Sequence, residues 1–330
     1  MKKKLLLSLL CGVLVLGIAT GCGDKENNSN NENNNNNTNQ ETTKGSSIKD
    51  IRVSLSNIIA LTNNGELYVY GTDNYGELGV GDSSSTVSKP TKVASNVKSF
   101  YGSGSQTYYI DNNDDLYMAG LRYTGGMQET FEKVTSNAKE VASAINCAVV
   151  MDKDGNVLVR GPKNGYCGFT QVYEEFTNVG SNAKDVLVHQ HSSGYLSNSN
   201  ELYLKTKNGD SYVKTLENVK EISDTYVLLN NGEVYNIGYD GAFTKLDDNV
   251  SDINDSFYMK NDGTVYNVNK TKINAEVSSV DDILYDGVSF SNEIIVYVNK
   301  DNKIVLHSTN GDNTIDNNLD SFKQILNFIK

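Results

Sequence analysis

Few side chains in this sequence have the type and spacing for catalysis, and the clearest are two aspartates. Asp224 and Asp255 occupy matching places in two shorter units of a repeat, where the spacing predicts tight turns. Two carboxylates about 5–9 Å apart can share the acid and base steps of glycoside cleavage. A glycan hydrolase or lyase that uses these carboxylates is therefore one hypothesis, and it depends on whether the fold brings the pair together.

Metal and cofactor chemistry has weaker support. His189 and His191 are two residues apart, so on a strand they would share one face, but no third ligand accompanies them. Asp152–Asn156 and Asp312–Asp316 have the acidic character of calcium loops, yet the first falls where other units have an Asn-Gly turn. The sequence has no phosphate-binding glycine loop, HExxH motif or nucleophile elbow. We therefore expect neither a metal nor a cofactor.

The N-terminus has the three parts of a bacterial lipoprotein signal in the right order. Lys2–Lys4 are basic, Leu5–Ile18 is apolar but short for a membrane span, and small residues then lead to Cys22. This ending resembles a lipobox, although Ala19 stands where leucine is usual. Residues 1–21 are predicted to be removed and Cys22 to be lipidated. The alternatives are an ordinary secretory signal and an uncleaved anchor.

Residues 22–47 form a polar linker after that signal. Ten of the thirteen residues from Asn27 to Asn39 are asparagine, and the segment lacks apolar side chains that would offset the entropy of ordering. We expect a disordered tether at the outer face of a bacterial cytoplasmic membrane, in a Gram-positive cell. Downstream, Cys147 and Cys167 either form one disulfide or stay reduced, and the sequence does not decide between these states.

The rest of the chain, residues 48–330, is repetitive. A four-residue phrase, hydrophobic–Lys–polar–hydrophobic in its clearest form, recurs at intervals of about 30–49 residues. Its eight occurrences begin at Ile48, Val97, Ala138, Ala183, Val219, Val250, Val280 and Phe322. Eight occurrences enclose seven units, and each unit has room for four short strands.

Each clear unit also contains a hairpin signal. Asn64-Gly65, Asp154-Gly155, Asn231-Gly232 and Asp262-Gly263 separate short apolar runs, and such dipeptides suit turns in which both central residues have positive φ. Units of this kind need neighbours to bury their faces, which favours a closed ring. The predicted fold class is all-β, a seven-bladed β-propeller over residues 48–330 that a strand at Phe322–Ile325 completes or latches. Equivalent strand positions are predicted for Tyr68, Tyr117, Tyr203, Tyr235 and Tyr266.

The first unit resembles a known repeat. Ala60–Asp82 reads ALTNNGELYVYGTDNYGELGVGD and is similar to the repeat of the regulator of chromosome condensation propeller family. The matching residues are Gly71, Asn74, Tyr75, Gly76, Leu78, Gly79, Gly81 and Asp82, with Glu77 where glutamine is common. The other units keep the hairpin but lose this segment. The resemblance therefore implies a propeller architecture and no particular activity.

The resemblance also indicates candidate binding residues. Family units carry a histidine ahead of an Ala-Leu pair, and this chain has other residues there. Those at this position are Asn57, Gln106, Cys147 and Ser192, and in two shorter units Asp224 and Asp255. Such a ring of polar side chains would line one end of the central funnel; the alternative is simple solvation of strand ends. In the rim loop of the first unit, Asp73, Asn74 and Tyr75 are further candidates.

Composition favours binding over catalysis. The chain has 330 residues with 29 Lys+Arg and 41 Asp+Glu, and its net charge of −12 opposes binding to nucleic acid phosphates. It has 20 tyrosines and no tryptophan, and tyrosine offers a partner rigid, amphipathic contact area. The favoured hypothesis is a monomeric, non-catalytic module that binds an extracellular protein or a wall-associated ligand.

Overall fold

The structure, a computed structural model, describes residues 47–330 apart from 84, 103–104, 164, 190, 207–210, 239–240 and 290–291. The predicted signal peptide, the lipidation site Cys22 and all but the last residue of the linker lie outside the described residues. Within them, the strands form seven four-stranded antiparallel sheets, and each sheet takes four consecutive strands.

The seven sheets are the blades of a β-propeller, as the sequence predicted. Blade 1 contains β1 (Ile48–Val53), β2 (Asn57–Thr62), β3 (Leu67–Thr72) and β4 (Thr86–Ala94). Blade 2 contains β5 (Val97–Gly102), β6 (Gln106–Asp111), β7 (Leu116–Leu121) and β8 (Met127–Thr135). Blade 3 contains β9 (Ala138–Ala144), β10 (Cys147–Asp152), β11 (Val157–Gly161) and β12 (Tyr173–Gly180). Blade 4 contains β13 (Ala183–His189), β14 (Ser192–Ser197), β15 (Leu202–Thr206) and β16 (Val213–Leu216).

Of the last three blades, blades 5 and 6 have shorter strands than blade 7. Blade 5 contains β17 (Val219–Ile222), β18 (Tyr226–Leu229), β19 (Val234–Ile237) and β20 (Phe243–Asp247). Blade 6 contains β21 (Val250–Ile253), β22 (Phe257–Lys260), β23 (Val265–Asn267) and β24 (Lys272–Ile273). Blade 7 contains β25 (Ile283–Ser289), β26 (Asn292–Val298), β27 (Lys303–Ser308) and β28 (Gly311–Asp316). No blade of the described chain borrows a strand from another segment.

The repeated phrase is the first strand of a blade. It begins β1, β5, β9, β13, β17 and β21, and in β1 the side chains of Ile48 and Ile51 are buried while Lys49 is exposed. The seventh blade differs from the prediction, because Val280–Asp282 form a 3-10 helix and the first strand starts at Ile283. A capping box at the start of this helix accounts for the shift, since it satisfies backbone groups that a strand would pair.

The turns use fewer left-handed residues than predicted. Gly65 has φ of 75°, whereas Asn64 is not left-handed, and the loop closes through hydrogen bonds from Gly65 N to Thr62 O and from Thr62 N to Glu66 O. This is a three-residue hairpin loop with one left-handed position. A second left-handed position, with φ between 59° and 63°, precedes a first strand and explains the repeated asparagines Asn96, Asn137, Asn182, Asn218 and Asn249.

The predicted tyrosines do share one position. Tyr68, Tyr117, Tyr203, Tyr235 and Tyr266 are each the second residue of the third strand of a blade. Three of them stack on the tyrosine opposite in the second strand, with ring centroids 4.7 Å apart for Tyr109–Tyr117 and 4.9 Å for Tyr195–Tyr203. Such cross-strand aromatic pairs stabilise a sheet and stiffen its outer half.

The last occurrence of the phrase is a helix, so the predicted strand at Phe322–Ile325 is wrong. A 3-10 turn at Leu319–Ser321 leads into α1, Phe322–Ile329, and α1 buries four apolar side chains. These are Phe322, Ile325, Leu326 and Ile329, at the spacing of one helical face. In the described part of the chain, no helix has the length and apolarity needed to cross a membrane.

The helix α1 closes the ring. Its buried side chains share one hydrophobic cluster with Ile51 and Ile58 of blade 1 and with Leu284 and Ile294 of blade 7. The helix therefore lies at the seam where the last blade meets the first, and it latches them by apolar packing in place of a shared strand.

The two faces of the ring have different connections. We call the side with the links between second and third strands, and between successive blades, the turn face. The opposite side carries the links between first and second strands and between third and fourth strands, and we call it the loop face. The longer connections belong to the loop face, among them residues 73–85 of blade 1 and 162–172 of blade 3.

Candidate binding site

The loop face gathers the exposed apolar side chains. Eight large hydrophobic residues of the described chain are exposed, from 37% to 55%, and every one belongs to a loop-face connection or to the strand start beside it. They are Leu55, Tyr75, Met127, Ile145, Tyr166, Val172, Val213 and Val268. Isolated exposed apolar residues are ordinary, but a distribution confined to one face is the mark of an interaction surface.

The loop of blade 1 is held at its base by buried polar groups. Asn57 Nδ2 donates to Glu77 Oε1 at 3.0 Å, and the other oxygen of Glu77 accepts from the backbone N–H of Tyr75 at 2.7 Å. Leu78 N donates to Asp73 Oδ1 at 3.4 Å. Asn57, Asp73 and Glu77 are buried, so these three serve the loop's shape, while Tyr75 is 44% exposed at its tip.

Asp73 and Glu77 put two carboxyl groups side by side in this base. Burial, together with the hydrogen bond and the charge of Glu77, raises the pKa of Asp73 to about 7. Ionising Asp73 beside a second buried carboxyl group is costly, so Asp73 changes between its protonated and ionised forms near pH 7. The base of the loop is thus sensitive to pH.

In blades 1 and 2 the repeated polar position fastens strand ends and does not line the funnel. Asn57 Nδ2 also donates to Thr72 O at 3.2 Å, and in blade 2 Gln106 Nε2 donates to Leu121 O at 2.6 Å. Both acceptors are the last residue of a third strand. The expectation that Asn57 and Gln106 line the funnel is therefore not met, because they belong to second strands, one strand away from the axis.

In blade 3 the same position holds a disulfide. Cys147 bonds to Cys167, which decides between the two states that the sequence left open. The bond joins the start of β10 to the loop of residues 162–172 and is buried. Ser193 of blade 4 donates to the carbonyl oxygen of Cys167 at 2.8 Å, so this loop is also tied to the next blade.

A channel of about 620 Å³ follows the ring axis. Its walls are first strands, and the lysine and acid of the repeated phrase line it, for instance Lys139 and Glu140. Some of these lysines tie one blade to the next, since Lys49 Nζ donates to Lys98 O at 3.1 Å and Lys220 Nζ donates to Ser251 O at 2.8 Å. The phrase therefore combines channel lining with contact between blades.

A tyrosine and two aspartates narrow the channel at the loop face. Tyr101 of blade 2 donates to Asp224 Oδ2 of blade 5 at 2.9 Å, so its side chain crosses the axis. Asp224 Oδ1 accepts from Val188 N at 2.8 Å, and Asp224 N donates to Asp255 Oδ1 at 2.6 Å. Burial and the charges of the two aspartates raise the pKa of Tyr101, so the phenol remains a donor. Blades 2, 4, 5 and 6 are linked through this network.

The fold does bring Asp224 and Asp255 together, buried and adjoining. The contact runs from the backbone N–H of Asp224 to Asp255 Oδ1, so the fold brings the pair together as the glycan-cleaving hypothesis requires. Both carboxylate oxygens of Asp224 nevertheless accept hydrogen bonds from the protein, and Asp255 reaches the backbone of Asp224. Of the two, only Asp255 lines the channel. The arrangement suits a structural tie better than an acid–base pair, since a general acid needs access to its substrate.

The histidines and acidic turns have structural roles. His189 Nδ1 is hydrogen-bonded to the backbone oxygen of Asp224, and burial lowers the pKa of His189. His191 stacks on Tyr166, with ring centroids 5.3 Å apart. Asp152 Oδ1 accepts from the backbone N–H groups of its own turn, as the turn interpretation predicted. Within the described residues, no group of three His, Cys, Asp or Glu side chains is placed to hold a metal.

By its fold the chain is a seven-bladed β-propeller. No family model matches it. Over 136 residues it is 30% identical to the X-linked retinitis pigmentosa GTPase regulator of Canis lupus familiaris, over 36% of this chain but only 13% of that protein. It is similar in structure to human WBSCR16 (13% identity, 60% of this chain and 67% of that one, TM-score 0.49). A second similar structure is Saccharomyces cerevisiae Prp20p, a yeast RCC1 (13% identity, 78% and 71%, TM-score 0.48).

Proposed function

We propose that this protein is a non-catalytic binding module whose loop face docks on an extracellular protein. The observation that carries the proposal is the confinement of all eight exposed large hydrophobic residues of the described chain to that face. Apolar and aromatic side chains at the centre of a patch supply most of the binding energy in protein interfaces. The net charge of −12 disfavours binding to nucleic acid.

Preorganised loops support the same proposal. The blade 1 loop is held by Asn57 and Glu77 and the blade 3 loop by Cys147–Cys167, while Tyr75 and Tyr166 remain exposed. A loop that is ordered before binding loses less entropy when the partner arrives. Tyrosines on such loops are therefore suitable anchors.

The proposed location is the outer face of a bacterial cytoplasmic membrane, with lipid on Cys22. The supporting features are Lys2–Lys4, the short apolar run and the Asn-rich linker, in that order. A disulfide at Cys147–Cys167 suits an exported, oxidising environment. The linker would give a flexible reach of about 25–30 Å. Labelling with a palmitate analogue should mark the wild type and spare Cys22→Ala; equal labelling would overturn the anchor.

Docking is tested by comparing two matched variants of the full chain in a pull-down from bacterial surface extract. The loop-face variant carries Tyr75→Ser, Met127→Ser and Val172→Ser. The control changes exposed turn-face residues and carries Asn64→Ser, Lys153→Ser and Lys300→Ser. We expect the protein captured by the wild type to be lost with the loop-face variant and kept with the control. The reverse pattern would contradict the proposal.

The second candidate, a glycan hydrolase or lyase, rests on the buried Asp224–Asp255 contact. Because Asp255 lines the channel, Asp255→Asn is the informative change. An activity on cell-wall polysaccharide that Asp255→Asn abolishes, at an unchanged melting temperature, would favour this candidate. The binding module predicts no such activity and unchanged capture by Asp255→Asn.

A further inference from the structure

A groove between blades 2 and 3 contains two of the three arginines of the chain. Its cavity of about 350 Å³ is lined by Arg122 and Arg160, by neutral polar side chains such as Gln106, Gln128 and Asn146, and by the charged residues Glu132, Lys133 and Glu175. The lining includes the ends of third strands and the starts of second strands, so it opens toward the loop face. The chain has a net charge of −12, so the presence of two guanidinium groups in one groove calls for a functional explanation.

Arg160 is held rigidly in the groove. Its guanidinium lies over the Tyr123 ring at 5.1 Å and near the Phe176 ring at 5.8 Å. Its Nε donates to the backbone oxygen of Glu174 at 3.0 Å. In the described chain no carboxylate forms an ion pair with Arg160. Ring contacts and a backbone hydrogen bond orient a guanidinium without neutralising it, and the outer nitrogens remain suited to an anion.

Arg122 is only weakly neutralised. Its guanidinium contacts the side-chain oxygen of Gln128, and Glu132 lies 3.9 Å away with 61% of its side chain exposed. An ion pair with this separation and this exposure does little to neutralise the charge of Arg122. The third cation of the groove, Lys133, differs because it is paired with Asp115 at 2.7 Å. Two arginines and no unpaired lysine are thus presented to an incoming group.

We propose that this groove binds a carboxylate of a partner polypeptide between Arg122 and Arg160. The inference deepens the docking function proposed above and rests on it. A guanidinium presents parallel N–H donors that match the two oxygens of a carboxylate, and the side-chain amide of Asn146 beside it offers a further donor. The acidic surface elsewhere does not prevent this, because charges more than about 8 Å away are screened at physiological salt.

The test measures binding of a labelled peptide to the full chain in detergent by fluorescence anisotropy. The probe is a blocked peptide with four consecutive glutamates, and its control has four glutamines. We expect Arg122→Gln to weaken glutamate-peptide binding roughly tenfold or more, as loss of a charge-assisted hydrogen bond implies. Arg160→Lys should also weaken it, because the fork is lost while the charge remains. Lys133→Gln, in the same groove with the same charge change as Arg122→Gln, should bind within about twofold of wild type.

Several outcomes would overturn the assignment. The first two are equal affinity for the glutamine peptide and an unchanged affinity of Arg122→Gln for the glutamate peptide. The third is a loss of affinity in Lys133→Gln as large as that in Arg122→Gln. The fourth is displacement of the glutamate peptide by inorganic phosphate at the same concentration at which acetate displaces it. If Arg160→Lys melts early, Arg122→Gln decides alone, since its side chain is half exposed. Full capture by the Arg122→Gln/Arg160→Lys variant would reject the groove and leave loop-face docking standing. If the glutamate peptide binds in an arginine-dependent way but the loop-face variant with the three serines still captures the partner protein, the docking surface is rejected instead.

Discussion

The loops after the third strand in blades 1 and 3 are fastened at the same place by different chemistry. Asn57, which begins β2, hydrogen-bonds to Glu77 twenty residues later; Cys147, which begins β10, bonds to Cys167, also twenty residues later. The glycines opposite, Gly71 and Gly161, have positive φ, and a Cβ on either would collide with the facing Asn57 or Cys147. The two fasteners are therefore equivalent in position.

Blades 1 and 3 differ from blade 2 in the length of the loop that follows the third strand. In blade 2 the same position is Gln106, whose side chain bonds to the end of the third strand, and the loop there is residues 122–126. Blades 1 and 3 have the longer loops, residues 73–85 and 162–172. A longer loop has more conformations to lose, so an extra tie has more effect on it. The tie in blade 3 is a disulfide, which a reductant can break. The tie in blade 1 adjoins Asp73, whose protonation depends on pH.

Removing the covalent fastener should have the largest effect. Cys147→Ala with Cys167→Ala is expected to lower the free energy of unfolding by about 2–4 kcal/mol, since the cross-link restricts the unfolded chain. Chemical denaturation of the full chain measures this, and reduced wild type serves as the control. A variant as stable as oxidised wild type would show that the bond does not stabilise the fold.

Removing the polar fastener should cost less. Asn57→Ala is expected to lower the free energy of unfolding by about 1–3 kcal/mol, because Glu77 loses a buried donor and Thr72 O loses its side-chain partner. Ser56→Ala, in the adjacent turn, is a control that leaves these bonds intact. A loss no greater than that of the control would show that solvent replaces the donor.

The proton at Asp73 should make the blade 1 tie depend on pH. The folded pKa, raised to about 7, exceeds the ordinary value of 3.8, so this group's stabilising contribution is complete below about pH 4 and is lost as pH rises through 7. Asp73→Asn, which resembles the protonated acid, should be more stable than wild type by roughly 1–2 kcal/mol at pH 8 and not at pH 4. Denaturant midpoints at both pH values measure this. A pH-independent difference would contradict the assignment.

Replacing the hydrogen-bonded fastener of blade 1 with a disulfide should change the free energy of unfolding least. Asn57→Cys with Glu77→Cys should form a disulfide, because these positions correspond to Cys147 and Cys167 of blade 3, whose Cα atoms lie 6.1 Å apart. Its free energy of unfolding should lie within about 1 kcal/mol of wild type, since a new cross-link offsets the lost hydrogen bonds. Removal of Glu77 should also reduce the pH dependence assigned to Asp73, because burial is then the main remaining cause of its raised pKa. Free-thiol titration and denaturation check these points; two free thiols in air would show that the positions are not equivalent.

The candidate binding residues could be located by sequence but not given their roles. The matching positions of Asn57 and Gln106 were visible from the repeat, yet their partners, Thr72 O and Leu121 O, depend on how the third strand ends. Arg122 and Arg160 were missed. The available signal was the rarity of arginine, with both near the end of a third strand in successive blades.

The sequence by itself determined the local units: the blade count, six of the seven first strands, the hairpin positions and the shared place of Tyr68 and its equivalents. These follow from short-range patterns, because strand alternation and left-handed turn residues act over a few residues. The tertiary structure alone decided that Tyr101 meets Asp224 across the axis, that Cys147 meets Cys167 and that the apolar residues share one face. The helix at Phe322–Ile329 lies between these cases: its spacing was readable, but the repeat suggested a strand, and packing at the seam selected the helix. Contacts between distant segments depend on ring closure, which no local pattern contains.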